Sequence, residues 1–190
     1  MPTTHNPEEA VWIARAQDGD DMAFANLVDA YQAPIFNLCY RILGDTAAAE
    51  DAAQESFLKA YRHLRRYDPE RKFANWILTI ASNYCVDMLR RRRISTLPLE
   101  SAPLQSPLIQ APEAVIIDAE TSGRLQALIK ELDPVDRAAI VLHYWYDMPL
   151  GEIGRSLKLT RSAVKSRMFR ARRELAQGWT TEDVEAQSGS

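Results

Sequence analysis

Four prolines, Pro98, Pro103, Pro107 and Pro112, recur through a stretch from Ile94 to Pro112 in which neither helical nor strand periodicity survives. Each proline fixes its own φ and lacks a donor, and it pushes the residue before it out of the helical region. No continuous helix or sheet strand crosses such a tract, so the chain divides there into two bodies joined by a flexible Pro-rich linker. Fully extended, about 19 residues reach roughly 60–65 Å. That is comparable to about 18 base pairs of duplex.

Both bodies read as helix. Asn6-Pro7-Glu8-Glu9 places a cap, a proline at the first helical position and an acid in the first turn. That helix should end near Asp18-Gly19. Asp21 to Leu43 presents Phe24, Leu27, Val28 and Tyr31 on one face and stops at Gly44, with a kink or break expected at Ala33 before Pro34. Asp45 can cap a third helix running to about Leu64. After the polar loop Tyr67–Arg71, the fourth runs from Phe73 to Arg93. Its apolar residues Phe73, Trp76, Ile77, Ile80, Ala81, Tyr84, Cys85, Met88 and Leu89 keep helical spacing, which predicts one buried face including Trp76. Beyond the linker, Leu125, Leu128, Ile129 and Leu132 mark a helix, and Asp133-Pro134 starts another. Leu150–Leu157, the turn Lys158-Leu159-Thr160 and a basic helix from Arg161 to about Ala176 complete the pattern. The expected class is all-α: two small helical domains, residues 1–93 and 113–176, a linker at 94–112, and a disordered tail at 177–190.

The net charge of −3 would not suggest a polyanion partner, but its distribution does. Residues 55–93 hold ten Lys/Arg against four Asp/Glu, and residues 155–173 hold eight Lys/Arg and no acid. The rest of the chain is strongly acidic. Charge segregated in this way implies two anion-binding faces on an acidic body. On the fourth helix, Thr79, Asn83 and Asp87 stand at four-residue steps opposite the apolar face and lead into Arg90–Arg93. Amides and carboxylates read base edges, and guanidinium groups hold phosphates. Tyr67 and the loop before Phe73 look free to approach a splayed base.

Leu150 to Leu175 fits a helix-turn-helix. Ile153, Leu157, Val164, Met168, Ala171 and Leu175 point inward, and Thr160 can cap the second helix. The outward residues Arg161, Ser162, Lys165, Ser166 and Arg170 suit a major groove, with Arg167, Arg172 and Arg173 as phosphate contacts. The helix around Asp51, Gln54, Glu55, Phe57, Leu58 and Tyr61 mixes acids with large apolar groups, which fits either an ordinary amphipathic helix or a protein-docking face. Catalytic readings find no support: the chain has no Walker loop, HExxH or nucleophile triad pattern. Cys39 and Cys85 fall in apolar helical registers and read as reduced core residues rather than a disulfide or metal ligands. No metal, cofactor, signal peptide or membrane span is expected.

These parts, in this order, resemble a bacterial sigma factor of the extracytoplasmic-function (ECF) group. The resemblance rests on Asp51–Phe57 (DAAQESF), Phe73–Asn83 (FANWILTIASN), Asp87–Arg93 (DMLRRRR) and Ala163–Arg172 (AVKSRMFRAR). It implies that residues 1–93 are sigma region 2 and that the second domain is region 4. It further implies that Asp51, Gln54, Glu55, Phe57, Leu58 and Tyr61 dock on core RNA polymerase. Lys72, Thr79, Asn83, Asp87, Arg90 and Arg91 would engage the minus-ten element, including its single-stranded non-template strand with a flipped base. Thr160, Arg161, Ser162, Lys165, Ser166, Arg170 and Arg173 would bind the double-stranded minus-thirty-five element. An anti-sigma factor and a cytoplasmic location are also implied. Lys158 departs from the pattern, standing where the family commonly has glycine. The loop Asp68–Lys72 lacks the small residues often found there. The competing readings are a stand-alone helix-turn-helix regulator and a protein-interaction adaptor with incidental basic patches.

Overall fold

The computed structural model describes residues 7–95 and 119–188. The Asn6 cap lies outside these residues. So does the expected linker, except Ile94 and Ser95, which finish the fourth helix. The elements are α1 (Pro7–Gln17), α2 (Asp21–Leu43), α3 (Thr46–His63), a 3-10 turn (Leu64–Arg66), α4 (Phe73–Ser95), α5 (Ala119–Glu131), α6 (Pro134–Tyr144), α7 (Leu150–Leu157) and α8 (Arg161–Ser188). Among the described residues there is no strand, and no helix is long and apolar enough to cross a membrane.

In the first half α2 is the central rod, packed on α1, α3 and α4. Its start is fixed by Asp20, whose carboxylate accepts from the Met22 and Ala23 amides. Its end is fixed by Gly44, which adopts φ 70° and donates its N–H to the Tyr40 carbonyl. The expected break at Pro34 does not occur, and α2 is continuous. Proline there removes the amide that would have bonded the Ala30 carbonyl. Ala30 lies on the exposed side, where water can satisfy that oxygen. Asp45 caps α3 through the Ala48 amide at 2.8 Å. The inner face of α3 is almost all small: Ala48, Ala49, Ala52, Ala53, Ser56 and Ala60 are buried. Small contact residues let α3 lie close on α2, so its large side chains are left on the outer face.

α4 departs from the expected single buried face. Phe73, Ile77, Ala81 and Cys85 are buried as the periodicity predicts, but Leu78, Ser82 and Val86 are buried as well. The reason is tertiary: α4 packs on α2 and α3 on one side and on α6 and α7 on the other. Trp76 joins a ring cluster, its centroid 5.4 Å from that of Phe73 and 5.0 Å from that of Tyr67. Cys39 and Cys85 are free thiols, both fully buried. They lie against each other across α2 and α4, and this contact, together with burial, pushes the Cys85 thiol pKa up.

α6 is the keystone of the second half. Asp133 caps it through the Val135 amide, and every residue from Pro134 to Leu142 is buried. A helix buried on all sides needs neighbours on all sides. α7 and α8 cover one flank of α6, and α2 and α4 of the first half cover the other. Arg137, 7% exposed, fastens this seam, donating to the carbonyls of Ile42 at 2.7 Å, Leu132 at 3.2 Å and Lys130. Those carbonyls end α2 and α5, where helix dipoles favour a cation, while burial pulls its pKa down. The two halves thus share one core, in place of two separately suspended bodies.

The helix-turn-helix forms as expected, with Ile153, Val164, Met168 and Ala171 buried between α7 and α8. Lys158 closes α7 in the left-handed region, φ 57° and ψ 44°. Gly154 is required for a different reason: a Cβ there would stand 2.7 Å from the Leu159 carbonyl oxygen. α8 does not end near Ala176, and the tail expected to be disordered from 177 continues as helix to Ser188. Gly178 lets the helix approach Leu128 of α5, and the Arg124 guanidinium lies 4.2 Å over the Trp179 ring.

Candidate nucleic-acid interface

Three faces hold the residues singled out by the sequence. On α8, Thr160, Arg161, Ser162, Lys165, Ser166, Arg170 and Arg173 are all exposed. The Thr160 hydroxyl accepts the Ala163 amide at 3.2 Å, so the cap forms as expected. The cationic row therefore faces solvent from a rigid helix whose opposite side is locked into the core. Arg167 does not belong to this row. Its guanidinium binds Asp136 at 2.6 Å and Asp133 at 3.5 Å, and the Asp136 hydrogen bond raises its pKa. It braces α8 against α6 instead of reaching outward.

On α4 the expected stripe divides. Asp87, Arg90 and Arg91 are exposed, as is Lys72 just before the helix. Thr79 and Asn83 are half-buried beneath α7. The Asn83 amide donates to the Ser156 carbonyl at 3.0 Å, and the Thr79 hydroxyl is hydrogen-bonded to that of Ser156. Asn75, which the sequence did not flag, donates to the Glu152 carboxylate. Beside these contacts a cavity of about 440 Å³ opens between the two halves, lined by Arg71, Lys72, Trp76, Thr79, Glu152 and Arg155 among others. Tyr67, expected to be free for stacking, is 4% exposed. Its ring packs edge-on against Phe73 at 5.4 Å, its hydroxyl donates to the Arg71 carbonyl, and burial lifts its pKa to about 12.

On α3, Asp51, Gln54, Leu58 and Tyr61 are exposed along one line, with Glu55 and Phe57 half-buried at its edges. Leu58 is 48% exposed, a large apolar group left facing water. The Tyr61 hydroxyl donates to Asp21 at 2.6 Å, and its ring stands edge-on to Phe24 at 5.0 Å. Met22, 71% exposed at the start of α2, extends the same patch. Its sequence signal is a large apolar residue off the Phe24–Tyr31 stripe, one position into a helix. Among the described residues no group of three or more His, Cys, Asp or Glu gathers into a metal-binding cluster.

Comparison with known proteins matches two family models in order along the chain. Sigma-70 region 2 covers residues 27–94, and Sigma-70, region 4 covers residues 122–175. The chain is 35% identical over 172 residues to the ECF RNA polymerase sigma factor SigW of Bacillus subtilis, an alignment spanning 86% of this chain and 92% of that protein. Among solved structures, CnrH in complex with the cytosolic domain of CnrY superposes with a TM-score of 0.66 at 23% identity, over 92% of this chain and 98% of that one. The sigma factor RpoE in complex with the anti-sigma factor NepR from Bartonella quintana gives 0.67 at 17% identity, over 83% and 96%. At those identities the two structures bear on the fold alone, and the fold agrees.

Proposed function

The chain belongs to the ECF RNA polymerase sigma factors, and from that premise we propose how its three faces divide the work of initiation. It directs core RNA polymerase to promoters. The α3 face (Asp51, Gln54, Glu55, Phe57, Leu58, Tyr61) docks on the polymerase, with Met22 added to its apolar part. Exposed Leu58 and Met22 supply area for burial, and Asp51 and Glu55 supply a rim of acceptors. Lys72, Thr79, Asn83, Asp87, Arg90 and Arg91 form the minus-ten face, in which side-chain amide and carboxylate read the freed non-template bases and guanidinium groups hold phosphates. Thr160, Arg161, Ser162, Lys165, Ser166, Arg170 and Arg173 form the minus-thirty-five face, laid in the major groove.

Residues 1–93 act as region 2 and residues 113–176 as region 4, the chain between them being the tether. Opening the duplex costs a few kcal/mol per unstacked step, and capture of the extruded base offsets part of that. Polymerase holds both domains at once, so the second contact is made at high effective concentration and two weak grips become one adequate grip. The protein works in the cytoplasm as a specificity subunit, not as a catalyst of covalent chemistry. An anti-sigma factor is a fitting regulator, as RpoE is solved with one.

The observation that most supports this reading is that all seven outward residues of α8 are solvent-exposed within the matched region 4. Run-off transcription by purified core polymerase on a randomised promoter library tests it. Sequence-specific initiation should appear with this chain and vanish with Arg161→Ala plus Lys165→Ala. Specific duplex binding without polymerase, and no initiation with it, would favour a stand-alone regulator.

A further inference from the structure

The groups assigned to reading the minus-ten element are already engaged within the chain. Thr79 and Asn83 both bond to Ser156, and their helical neighbour Asn75 bonds to Glu152. Ser156 is 6% exposed, so α7 physically covers this part of α4. A nucleotide strand approaching Asn83 would meet α7 before it met the carboxamide. The contact is supported along the whole seam. Tyr146 donates to the Pro34 carbonyl at 2.7 Å, Gln126 to the Arg41 carbonyl at 3.0 Å, and the Arg41 guanidinium stacks 4.7 Å over Trp145. Arg93, in the basic run of α4, pairs at 3.4 Å with Asp133 of the opposite half.

We infer that, away from polymerase, this chain holds its own minus-ten face shut, with α7 of the helix-turn-helix domain acting as an intramolecular competitor of the non-template strand. The inference rests on the assignment of Thr79 and Asn83 as base-reading residues. Most seam contacts are polar: hydroxyl, carboxamide, guanidinium and backbone carbonyl groups that water or DNA can replace. Such a contact is favoured while both halves share one tether, and it is lost when a partner holds them apart. Core polymerase, by seating the two domains at separate sites, would uncover α4 at the moment DNA is delivered. The α8 row remains exposed throughout, so duplex contact at minus-thirty-five is not masked in the same way.

Two measurements on the full chain test this. In the first, Thr79→Cys with Ser156→Cys is oxidised mildly, and the bond between the introduced thiols is identified by peptide mapping, which separates it from Cys39 and Cys85. The bond should form readily in the free chain and about tenfold more slowly once core polymerase is bound. Failure to form in the free chain, or equal rates on polymerase, overturns the inference. The second measurement leaves the reading residues intact. Glu152→Ala with Tyr146→Phe removes two seam contacts and should tighten binding of short, fluorescein-labelled random single-stranded deoxyoligonucleotides to the polymerase-free chain by about fivefold or more. Run-off at saturating polymerase should stay unchanged, and no tightening refutes the masking. Thr79→Ala plus Asn83→Ala separates the premise: if that variant still initiates normally, the base-reading assignment fails, whereas the cross-link reports on the closed contact alone.

Discussion

Lys158→Gly offers a clean quantitative test of the helix-turn-helix geometry. Lys158 sits at φ 57°, ψ 44°, where the Cβ of an L-residue crowds the following carbonyl at a cost of about 1–2 kcal/mol. Glycine removes that cost but adds about 0.4–1 kcal/mol of unfolded-chain entropy. The net expectation is a stabilisation of about 0.5–1 kcal/mol. Lys158 is exposed and its side chain is a cation on the basic side of the molecule, so charge must be held constant in the comparison. Lys158→Ala does this: it loses the same charge yet keeps the Cβ, and the difference between the two variants isolates the backbone contribution. In urea, with a slope of about 1–2 kcal/mol/M, the glycine variant should unfold about 0.3–1 M later than the alanine variant. Equal midpoints would refute a strained left-handed residue at the turn. A glycine midpoint below that of alanine would mean that position 158 is helical or extended in solution.

Gly154→Ala should act in the opposite direction, losing about 1–3 kcal/mol in the same urea titration, because its Cβ would press on the Leu159 carbonyl, a backbone atom with little freedom to move. Leu58→Ala with Met22→Ala should weaken binding to core polymerase about tenfold or more in a fluorescence-anisotropy titration, while the urea midpoint moves little, since both side chains are largely exposed. Stability should fall at alkaline pH. The Cys85 thiol (ordinary value 9.0) and the Tyr67 phenol (10.0, raised to about 12) both have folded pKa values above their unfolded ones. Their contribution is complete below pH 9 and is lost as the unfolded chain alone begins to ionise, which chemical denaturation between pH 7 and 11 would follow. Holoenzyme binding to promoter duplex should weaken steeply with salt, and Arg161→Ala should flatten that slope by about one counterion.

Much of this molecule was legible in its sequence. Capping residues Asp45, Asp133 and Thr160 each accept the backbone amide that their position implies. Apolar spacing in α7 and α8 identified the residues that lock the helix-turn-helix, because a two-helix contact needs one apolar stripe on each partner, and such a stripe is a local pattern. The outward cations of α8 followed by exclusion, and the segregation of charge pointed to polyanion-binding surfaces in spite of a negative total.

What escaped was everything set by a second neighbour. Ser82, Leu78 and Val86 lie off the expected apolar face of α4, and only the arrival of α6 and α7 buries them. Tyr67 looked free because it stands in a polar loop, yet Phe73 and Trp76 close over it. Arg167 counted as one more cation in a row until Asp136 claimed it. A usable clue was present in α6, whose run from Pro134 to Leu142 offers no continuous polar face and so requires cover on every side. The sequence by itself determined the helices, their caps and the chemistry displayed on each outward face, since these depend on spacing within about a turn. The tertiary structure alone decided which displayed groups are free, because burial and pairing of Asn83, Thr79 and Arg167 depend on residues scores of positions away.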